Sequence, residues 1–375
     1  MAFSTKIQGE VTSMKEIESD RHEAAPDIER EVSVQEIIRN QIVQDLAGTI
    51  DKLGNACSDI HLCTNRPPVA RVNGELQELS FMPPLSECAI NKLVEALALH
   101  KSVHDLVVSG AMDVSLSVQY PQGKEIRFRG NIFKDRNGTS LAIRIIRDTI
   151  PTMQELRLPP SVQKLKDLPY GLVVICGPTG SGKSTTLASL IEAINEEHAK
   201  RIITIEDPVE YIHPWRRSVI SQREVGADCL NFSEGLRSAL RQDPDIILVG
   251  EMRDAQTIAT ALAAAETGHL VLTTLHTATT VEAVDRIVQY FPAESHLQIR
   301  NEIATSFRAF VAQKLFKTKK GTRAAAFEVL LHSDATASLI RQGLNYQLPS
   351  YMLAAQGMMK MEDSIKSLRN LRLID

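Results

Sequence analysis

The stretch that decides the fold reads GLVVICGPTGSGKST at residues 171–185. Its first part, Leu172 to Cys176, is an unbroken apolar run, which predicts a buried strand. The part that follows fits the phosphate-binding pattern G-x-x-x-x-G-K-[ST]. Its residues are Gly177, Pro178, Thr179, Gly180, Ser181, Gly182, Lys183, Ser184 and Thr185. A helix is predicted directly after the motif, over residues 184–196, so the motif has the strand before it and the helix behind it that such a loop requires.

The chemistry of this loop is suited to phosphate. Its glycines allow consecutive backbone N–H groups to turn towards one anion, and the start of the following helix adds a partial positive charge. Lys183 is expected to reach the β- and γ-phosphates of a nucleotide, and the Ser184 hydroxyl to coordinate Mg²⁺. The alternative is a chance glycine-rich turn, which the flanking strand and helix disfavour.

Outward from the loop, strands and helices alternate along the chain. Further strands are predicted over residues 201–205, 246–249 and 270–275, and further helices over residues 232–241 and 256–265. This alternation predicts an α/β fold with a mostly parallel sheet. From Val281 onward the chain is predicted to be mostly helical.

Carboxylates follow two of the predicted strands. Glu251 comes just after residues 246–249, where it could approach a metal ion at the carboxyl edge of the sheet. Glu206 and Glu210 follow residues 201–205, and either could orient a water molecule for attack on phosphate. A solvated acidic turn is the alternative for this second pair.

Two histidines, His269 and His276, flank the strand predicted over residues 270–275. An imidazole at a strand end can donate a hydrogen bond to a γ-phosphate, but many lone histidines are structural. Position alone does not decide between a phosphate-binding and a structural role for these histidines.

The first half of the chain has a different pattern. Short alternating segments at residues 59–62, 69–72, 113–118 and 125–129 predict strands, and turn signals such as Asn73-Gly74 and Asn137-Gly138 punctuate them. A helix is predicted over residues 86–99. Together they predict a smaller α+β domain whose sheet is largely antiparallel.

The chain is therefore expected to divide into four parts. Residues 1–32 form a flexible charged arm, and residues 33–150 the α+β domain, which opens with a helical stripe from Val34 to Ile50. Residues 151–170 contain four prolines and are expected to be a linker. Residues 171–375 form the phosphate-binding domain with its helical C-terminal part.

Composition excludes several classes of function. The 42 Lys and Arg residues nearly balance the 46 Asp and Glu residues, so no overall basic field favours nucleic acid. The five cysteines form no C-x-x-C pair, which disfavours a zinc knuckle and suits reduced thiols. A secretory signal pattern and a membrane-spanning apolar run are both absent from the sequence. We therefore expect a cytoplasmic protein with no direct membrane span.

Four sequence blocks together resemble the secretion ATPase superfamily, which drives type II secretion and type IV pili. They are GPTGSGKST (177–185), TIEDPVEYIH (204–213), LRQDPDIILVGEMRD (240–254) and AAAETGHLVLTTLHT (263–277), in the order of that family's Walker A, Asp, Walker B and His boxes. The segment IRFRGNIF (126–133) is similar to its smaller N-terminal domain. The resemblance implies a RecA-like P-loop ATPase domain, mostly parallel, with a PAS-like α+β domain before it.

Within this superfamily the chain is more similar to PilT-like pilus retraction motors than to assembly motors. Assembly motors usually carry a tetracysteine element after the His box, but here no cysteine follows Cys229. They also carry a long extra N-terminal domain, which we do not expect in a chain of 375 residues. The AIRNLIRE stretch of retraction motors matches residues 335–342 only in part. A pilus assembly or type II secretion motor is the alternative.

The resemblance also implies roles for individual residues. It assigns water activation to Glu210, the Walker B metal position to Glu251 and γ-phosphate sensing to His276, and it includes His269 among the nucleotide-binding residues. Arginines from the N-terminal domain close over the nucleotide in this family. Those that match best are Arg129 and Arg144, with Arg237 and Arg241 as further phosphate-side candidates.

The implied cofactors are ATP and Mg²⁺, and the implied assembly is a homohexamer. Its expected partner is an inner-membrane pilus platform protein, which places the ring in the cytoplasm, peripheral at the inner membrane. No nucleic-acid partner is expected, because the basic cluster around residues 314–323 has no interleaved aromatic platform. A non-catalytic binding module is disfavoured because Glu210 and Glu251 accompany an intact loop.

Overall fold

The computed structural model describes residues 48–50, 57–72, 74–97, 110–120, 124–146, 149–319 and 321–375. The arm at residues 1–32 and most of the helical stripe that starts at Val34 lie outside the described residues. The described chain contains a six-stranded and a seven-stranded sheet.

The six-stranded sheet is antiparallel throughout, as the alternating segments predict. Its strand order is β3-β2-β1-β6-β5-β4. The strands are β1 (Cys57–Cys63), β2 (Val69–Val72), β3 (Glu75–Glu78), β4 (Ala111–Tyr120), β5 (Lys124–Asp135) and β6 (Gly138–Ile146). The helix Glu87–Leu97 contributes buried Ile90 and Leu93 to the same core as Ile60 and Ile132. The α+β character is therefore confirmed.

The seven-stranded sheet is parallel except at one edge, where β12 and β13 form an antiparallel pair. Its strand order is β13-β12-β7-β11-β10-β8-β9. The strands are β7 (Gly171–Cys176), β8 (Arg201–Glu206), β9 (Val219–Glu224), β10 (Ile246–Val249), β11 (Leu270–Leu275), β12 (Phe307–Lys317) and β13 (Arg323–Leu331). The predicted α/β fold with a mostly parallel sheet is confirmed.

Helices cover both faces of this sheet, so successive residues of β7 enter different cores. Leu172, Val174 and Cys176 pack in one hydrophobic cluster, and Val173 and Ile175 in another. The longer helices are Lys183–Glu197, Phe232–Ala239, Ala255–Glu266, Thr280–Gln289, His296–Ser306, Asp334–Gln342 and Met361–Asn370. Shorter helical turns are Pro160–Gln163, Lys164–Asp167, Ala293–Ser295, Asn345–Gln347, Leu348–Tyr351 and Ala354–Gln356. None of the helices in the described ranges is long and apolar enough to cross a membrane.

The expectation that the chain is mostly helical after Val281 is wrong for the hairpin of β12 and β13. Strand β12 lies beside the central strand β7, and its Phe307 and Phe310 are fully buried. A strand buried on both faces is apolar without a period of two, which makes it hard to tell from a buried helix.

The proline-rich segment before β7 packs against the second domain. Met153, Leu158, Val162 and Leu165 are buried in the cluster that holds one face of β7. The segment predicted to be a linker therefore packs on the seven-stranded sheet. The domain boundaries themselves stay a prediction.

Candidate active site

The loop between β7 and the helix Lys183–Glu197 has three residues whose backbone angles strongly favour glycine. Gly177, Gly180 and Gly182 have φ angles of 153°, 77° and 88°. An L-residue with a side chain rarely adopts these angles, which explains the glycines of the motif. The loop thereby wraps back over the start of the helix, as a phosphate cradle requires.

Lys183 lies inside this loop and is only 7% exposed. Its Nζ donates hydrogen bonds to the carbonyl oxygens of Gly177 at 2.8 Å and Pro178 at 3.2 Å. Burial lowers the pKa of the Lys183 ammonium, and the nearby carboxylates of Glu251 and Glu210 act in the opposite direction. A partly desolvated ammonium of this kind binds strongly to an incoming anion.

A cavity of about 190 Å³ opens between the loop helix and the carboxyl ends of β8 and β10. The polar side chains in its wall include Lys183, Ser184, Glu206, Glu210, Glu251 and His276. Residues from all four predicted boxes therefore meet in one place, because parallel strands end at a common edge of the sheet.

Glu251 is held from two sides and its side chain is 14% exposed. One carboxylate oxygen lies 3.2 Å from His276 Nε2, and the other forms an ion pair with Arg253. Arg253 also lies 3.9 Å from Asp207, so it links the loop after β10 to the loop after β8. The sequence motifs did not single out Arg253, whose contacts depend on how the two loops meet.

The two acids that follow β8 have different surroundings. Glu206 accepts a hydrogen bond from the Thr204 hydroxyl at 2.7 Å and a longer one from Gln222 at 3.4 Å. Burial raises the pKa of Glu206 despite these bonds. Glu210 is exposed and reaches the cavity wall. Glu210 is therefore the better placed of the two to meet a water molecule.

The segment after β8 is tied to the loop helix by a polar cluster in which His213 is buried and Arg216 is exposed. His213 Nδ1 lies 3.0 Å from Glu192 Oε2, and Arg216 donates to the other oxygen of Glu192 at 2.7 Å. The Thr185 and Tyr211 hydroxyls lie 2.9 Å apart. These contacts fix the wall that carries Glu206 and Glu210, and sequence reasoning did not identify them.

The structure does not bring His269 to this cavity. His269 precedes β11, and its carbonyl accepts from the N–H of Gly171 at the start of β7. The phosphate loop follows the far end of β7, about 20 Å away at the rise of a parallel strand. The His269 ring lies 3.0 Å from the carbonyl oxygen of Ala264, where it supports the end of a helix. Its predicted contact with the nucleotide does not fit this position.

The four predicted arginines also lie outside the described lining of the cavity. Arg129 and Arg144 face each other across β5 and β6, and Arg144 pairs with Asp59 at 3.0 Å. Arg237 lies 3.7 Å from Glu234, and Arg241 donates to the Arg237 carbonyl. Their predicted roles stay predictions.

The donor set of the cavity fits Mg²⁺. The Ser184 hydroxyl and the carboxylates of Glu210 and Glu251 line the same space, next to the loop that would hold phosphate. Oxygen ligands from one or two carboxylates, completed by phosphate and water, are what this small, hard cation selects in proteins.

Comparison with known proteins agrees with this geometry. The sequence pattern of a family described as Type II/IV secretion system protein matches residues 33–345. The protein named Type IV pilus retractation ATPase PilT from Pseudomonas aeruginosa is 42% identical over 285 residues, which are 76% of this chain and 81% of that protein. A Twitching motility protein from Neisseria gonorrhoeae is 40% identical over 312 residues, 82% of this chain and 81% of that protein.

A solved structure shows the same fold. The crystal structure of the pilus retraction motor PilT with bound ADP superimposes with a TM-score of 0.81 at 39% sequence identity. The match covers 89% of this chain and 94% of that one.

Proposed function

Since the chain belongs to the Type II/IV secretion system protein family, we propose that it is the ATPase motor that powers the retraction of a type IV pilus. The ATPase activity itself follows from the family and from the related ATPases named above. One observation carries the finer assignment to retraction: the likeness to PilT extends over four fifths of that protein, not over the phosphate loop alone.

In this proposal the nucleotide phosphates sit on the loop at residues 177–185. Lys183 leaves the carbonyls of Gly177 and Pro178 and pairs with the β- and γ-phosphates. Ser184 and Glu251 hold Mg²⁺, which when bound supplies positive charge against the phosphate oxygens. Lys183 needs only a short side-chain movement, because its ammonium already lies inside the loop.

Hydrolysis needs a water molecule oriented in line with the bond that breaks. Glu210 takes that role, since it is the exposed carboxylate of the cavity wall, and it accepts the proton of the attacking water. His276, beside Glu251, donates a hydrogen bond to the γ-phosphate. Arg253 keeps Glu251 and Asp207 in place until the nucleotide arrives.

Force would come from a change in the angle between the two domains of each subunit. Arg129 and Arg144 approach the nucleotide as the domains close, and release of the product reopens them. Six subunits form a ring in the cytoplasm that docks on an inner-membrane pilus platform protein. His269 is not part of this mechanism, because it lies at the other end of the sheet.

A pilus assembly or type II secretion motor is the second candidate. The family description covers both type II and type IV systems, and it is therefore compatible with this second candidate. The cysteines argue against the second candidate. Assembly motors usually carry a tetracysteine element after the His box, but here no cysteine follows Cys229.

Deletion of the gene in its native host separates the two candidates. Retraction predicts cells that still carry surface pili but neither twitch nor withdraw them, and wild-type protein restores withdrawal while Lys183→Ala does not. Loss of surface pili on deletion, restored by the wild-type gene, would contradict retraction and support assembly.

A further inference from the structure

Strand β12 runs parallel to β7, and one of its side chains lies directly behind the phosphate loop. Ala312 of β12 pairs with Cys176, the last residue of β7. The next residue, Gln313, is 3% exposed and faces the loop and the start of the following helix. No motif of the sequence includes Gln313.

Both ends of the Gln313 carboxamide form hydrogen bonds in the loop region. Its Nε2 donates to the carbonyl oxygen of Ser181 at 2.7 Å, and its Oε1 accepts from the Thr186 hydroxyl at 2.8 Å. One side chain therefore joins the loop to the first turn of the helix, with each donor matched to an acceptor.

The glycines of the loop divide according to their distance from Gln313. A Cβ added at Gly177 would lie 2.4 Å from the backbone carbonyl oxygen of Gln313, and one at Gly182 would lie 2.9 Å from the side-chain Nε2. A Cβ at Gly180 would meet no described atom within 4 Å. The loop thus rests on Gln313 at both ends, and only its middle projects freely.

The bond to Ser181 has a consequence for the adjoining peptide group. In a trans peptide the carbonyl and the following N–H point in opposite directions. Gln313 holds the Ser181 carbonyl on the strand side. The N–H of Gly182 is therefore expected to point away from β12, towards the side proposed for phosphate. Turning that peptide over would present an oxygen to the phosphate in place of a donor.

We propose that Gln313 is a positioning residue that holds the phosphate loop in its anion-binding conformation. This inference rests on the proposed phosphate site, but not on retraction as the output. Gln313 touches no nucleotide itself, and it acts through the backbone at Ser181 and Gly182 and through Thr186.

Two variants test the proposal in the full-length protein. Gln313→Glu keeps an acceptor for Thr186 but removes the donor to Ser181, and Gln313→Met keeps the length of the side chain but removes both bonds. Ser364→Ala is the matched control, because Ser364 is also buried and accepts a backbone hydrogen bond, from Phe327 of β13. Isothermal titration with ADP gives the affinity of each protein, and thermal melting gives its stability.

Both Gln313 variants lack the bond to Ser181, so we expect each to bind ADP at least about tenfold more weakly, the size of effect that follows from one lost buried hydrogen bond. Steady-state turnover should show the same rise in KM for ATP with a smaller change in kcat. Ser364→Ala should melt at a lower temperature with unchanged ADP affinity. If Gln313→Met does not fold, Gln313→Glu still decides the question.

Wild-type ADP affinity in a folded Gln313 variant would overturn the proposal, even with a lowered melting temperature, since Gln313 would then be structural only. A wild-type protein that binds no ADP would overturn the phosphate site and this proposal together. The pilus phenotype of a deletion strain bears on neither outcome.

Discussion

Three carboxylates of the cavity, Glu206, Glu210 and Glu251, differ in what surrounds them. Glu206 is held by Thr204, and burial raises its pKa. Glu251 lies between His276 and Arg253. Glu210 faces the open cavity. Their surroundings suit them to three tasks: support of the wall, contact with the metal ion and orientation of water.

Replacement of Glu206 by glutamine should stabilise the protein in a pH-dependent way. An acid whose pKa is raised on folding binds its proton more tightly in the folded state, so the folded state loses stability as pH rises from the ordinary pKa of 4.5 through the raised one. Glu206→Gln removes that loss. Its melting temperature should exceed the wild-type value at about pH 8 and match it near pH 4.5. The exposed Glu95→Gln is the control, and an equal effect of both variants at pH 8 would contradict the argument.

Arg253 should compete with the metal ion for Glu251. Because its guanidinium occupies one oxygen of that carboxylate, Arg253→Gln should lower the Mg²⁺ concentration for half-maximal ATP turnover by about threefold, the scale of one exposed ion pair. Arg369→Gln, which removes an exposed arginine near the C-terminus, should leave it unchanged. A higher Mg²⁺ requirement in Arg253→Gln would show instead that Arg253 helps to hold the metal site together.

Site residues that stand at the end of an apolar strand could be predicted from the sequence. Glu251 is predicted in this way, since parallel strands end at a common edge of the sheet, whereas Lys183 is predicted from the phosphate-binding motif. Arg253, His213 and Gln313 could not be predicted, because each contacts at least one residue from another segment of the chain. His269 shows the limit of the method, because a strand has two ends and only one of them carries the site.

Element boundaries were predictable where periodicity and turn signals agreed. The strands Ile246–Val249 and Leu270–Leu275 have the bounds that the sequence predicts. The polar edge strand Val219–Glu224 and the apolar strand Phe307–Lys317 escaped prediction for opposite reasons. Val219–Glu224 has one buried residue, so its sequence shows no apolar pattern. Phe307–Lys317 has a run of buried residues, so its sequence shows no alternation of apolar and polar residues.

Helix capping gives a testable difference between two serines. Ser333 caps the helix Asp334–Gln342 by accepting from the N–H of Thr336, which reciprocates through its hydroxyl. Ser333→Ala should lower the free energy of unfolding by about 1 kcal/mol. Ser295 precedes the helix His296–Ser306 but forms no cap bond with the described residues. Ser295→Ala should therefore be nearly neutral in urea denaturation, and equal losses in both variants would contradict the capping argument.

At the scale of the whole molecule, an α+β domain precedes a P-loop domain, as in the retraction motor that the chain resembles. The subunits of a ring-shaped motor contact one another head to tail, and these contacts form a closed ring when the rotation between neighbours closes. We predict that light scattering in the presence of ADP gives the mass of six 41.5-kDa chains. A monomer or dimer under saturating nucleotide would contradict the ring.

We expect the cavity beside the phosphate loop to hydrolyse ATP, and phosphate release by the purified protein tests this most directly. Wild-type protein should turn over ATP with Mg²⁺ and stop when the metal is chelated. Lys183→Ala and Glu251→Ala should each lose at least about a hundredfold in rate, while the exposed Lys366→Ala keeps the wild-type rate. Turnover at the wild-type rate in both active-site variants would contradict the account.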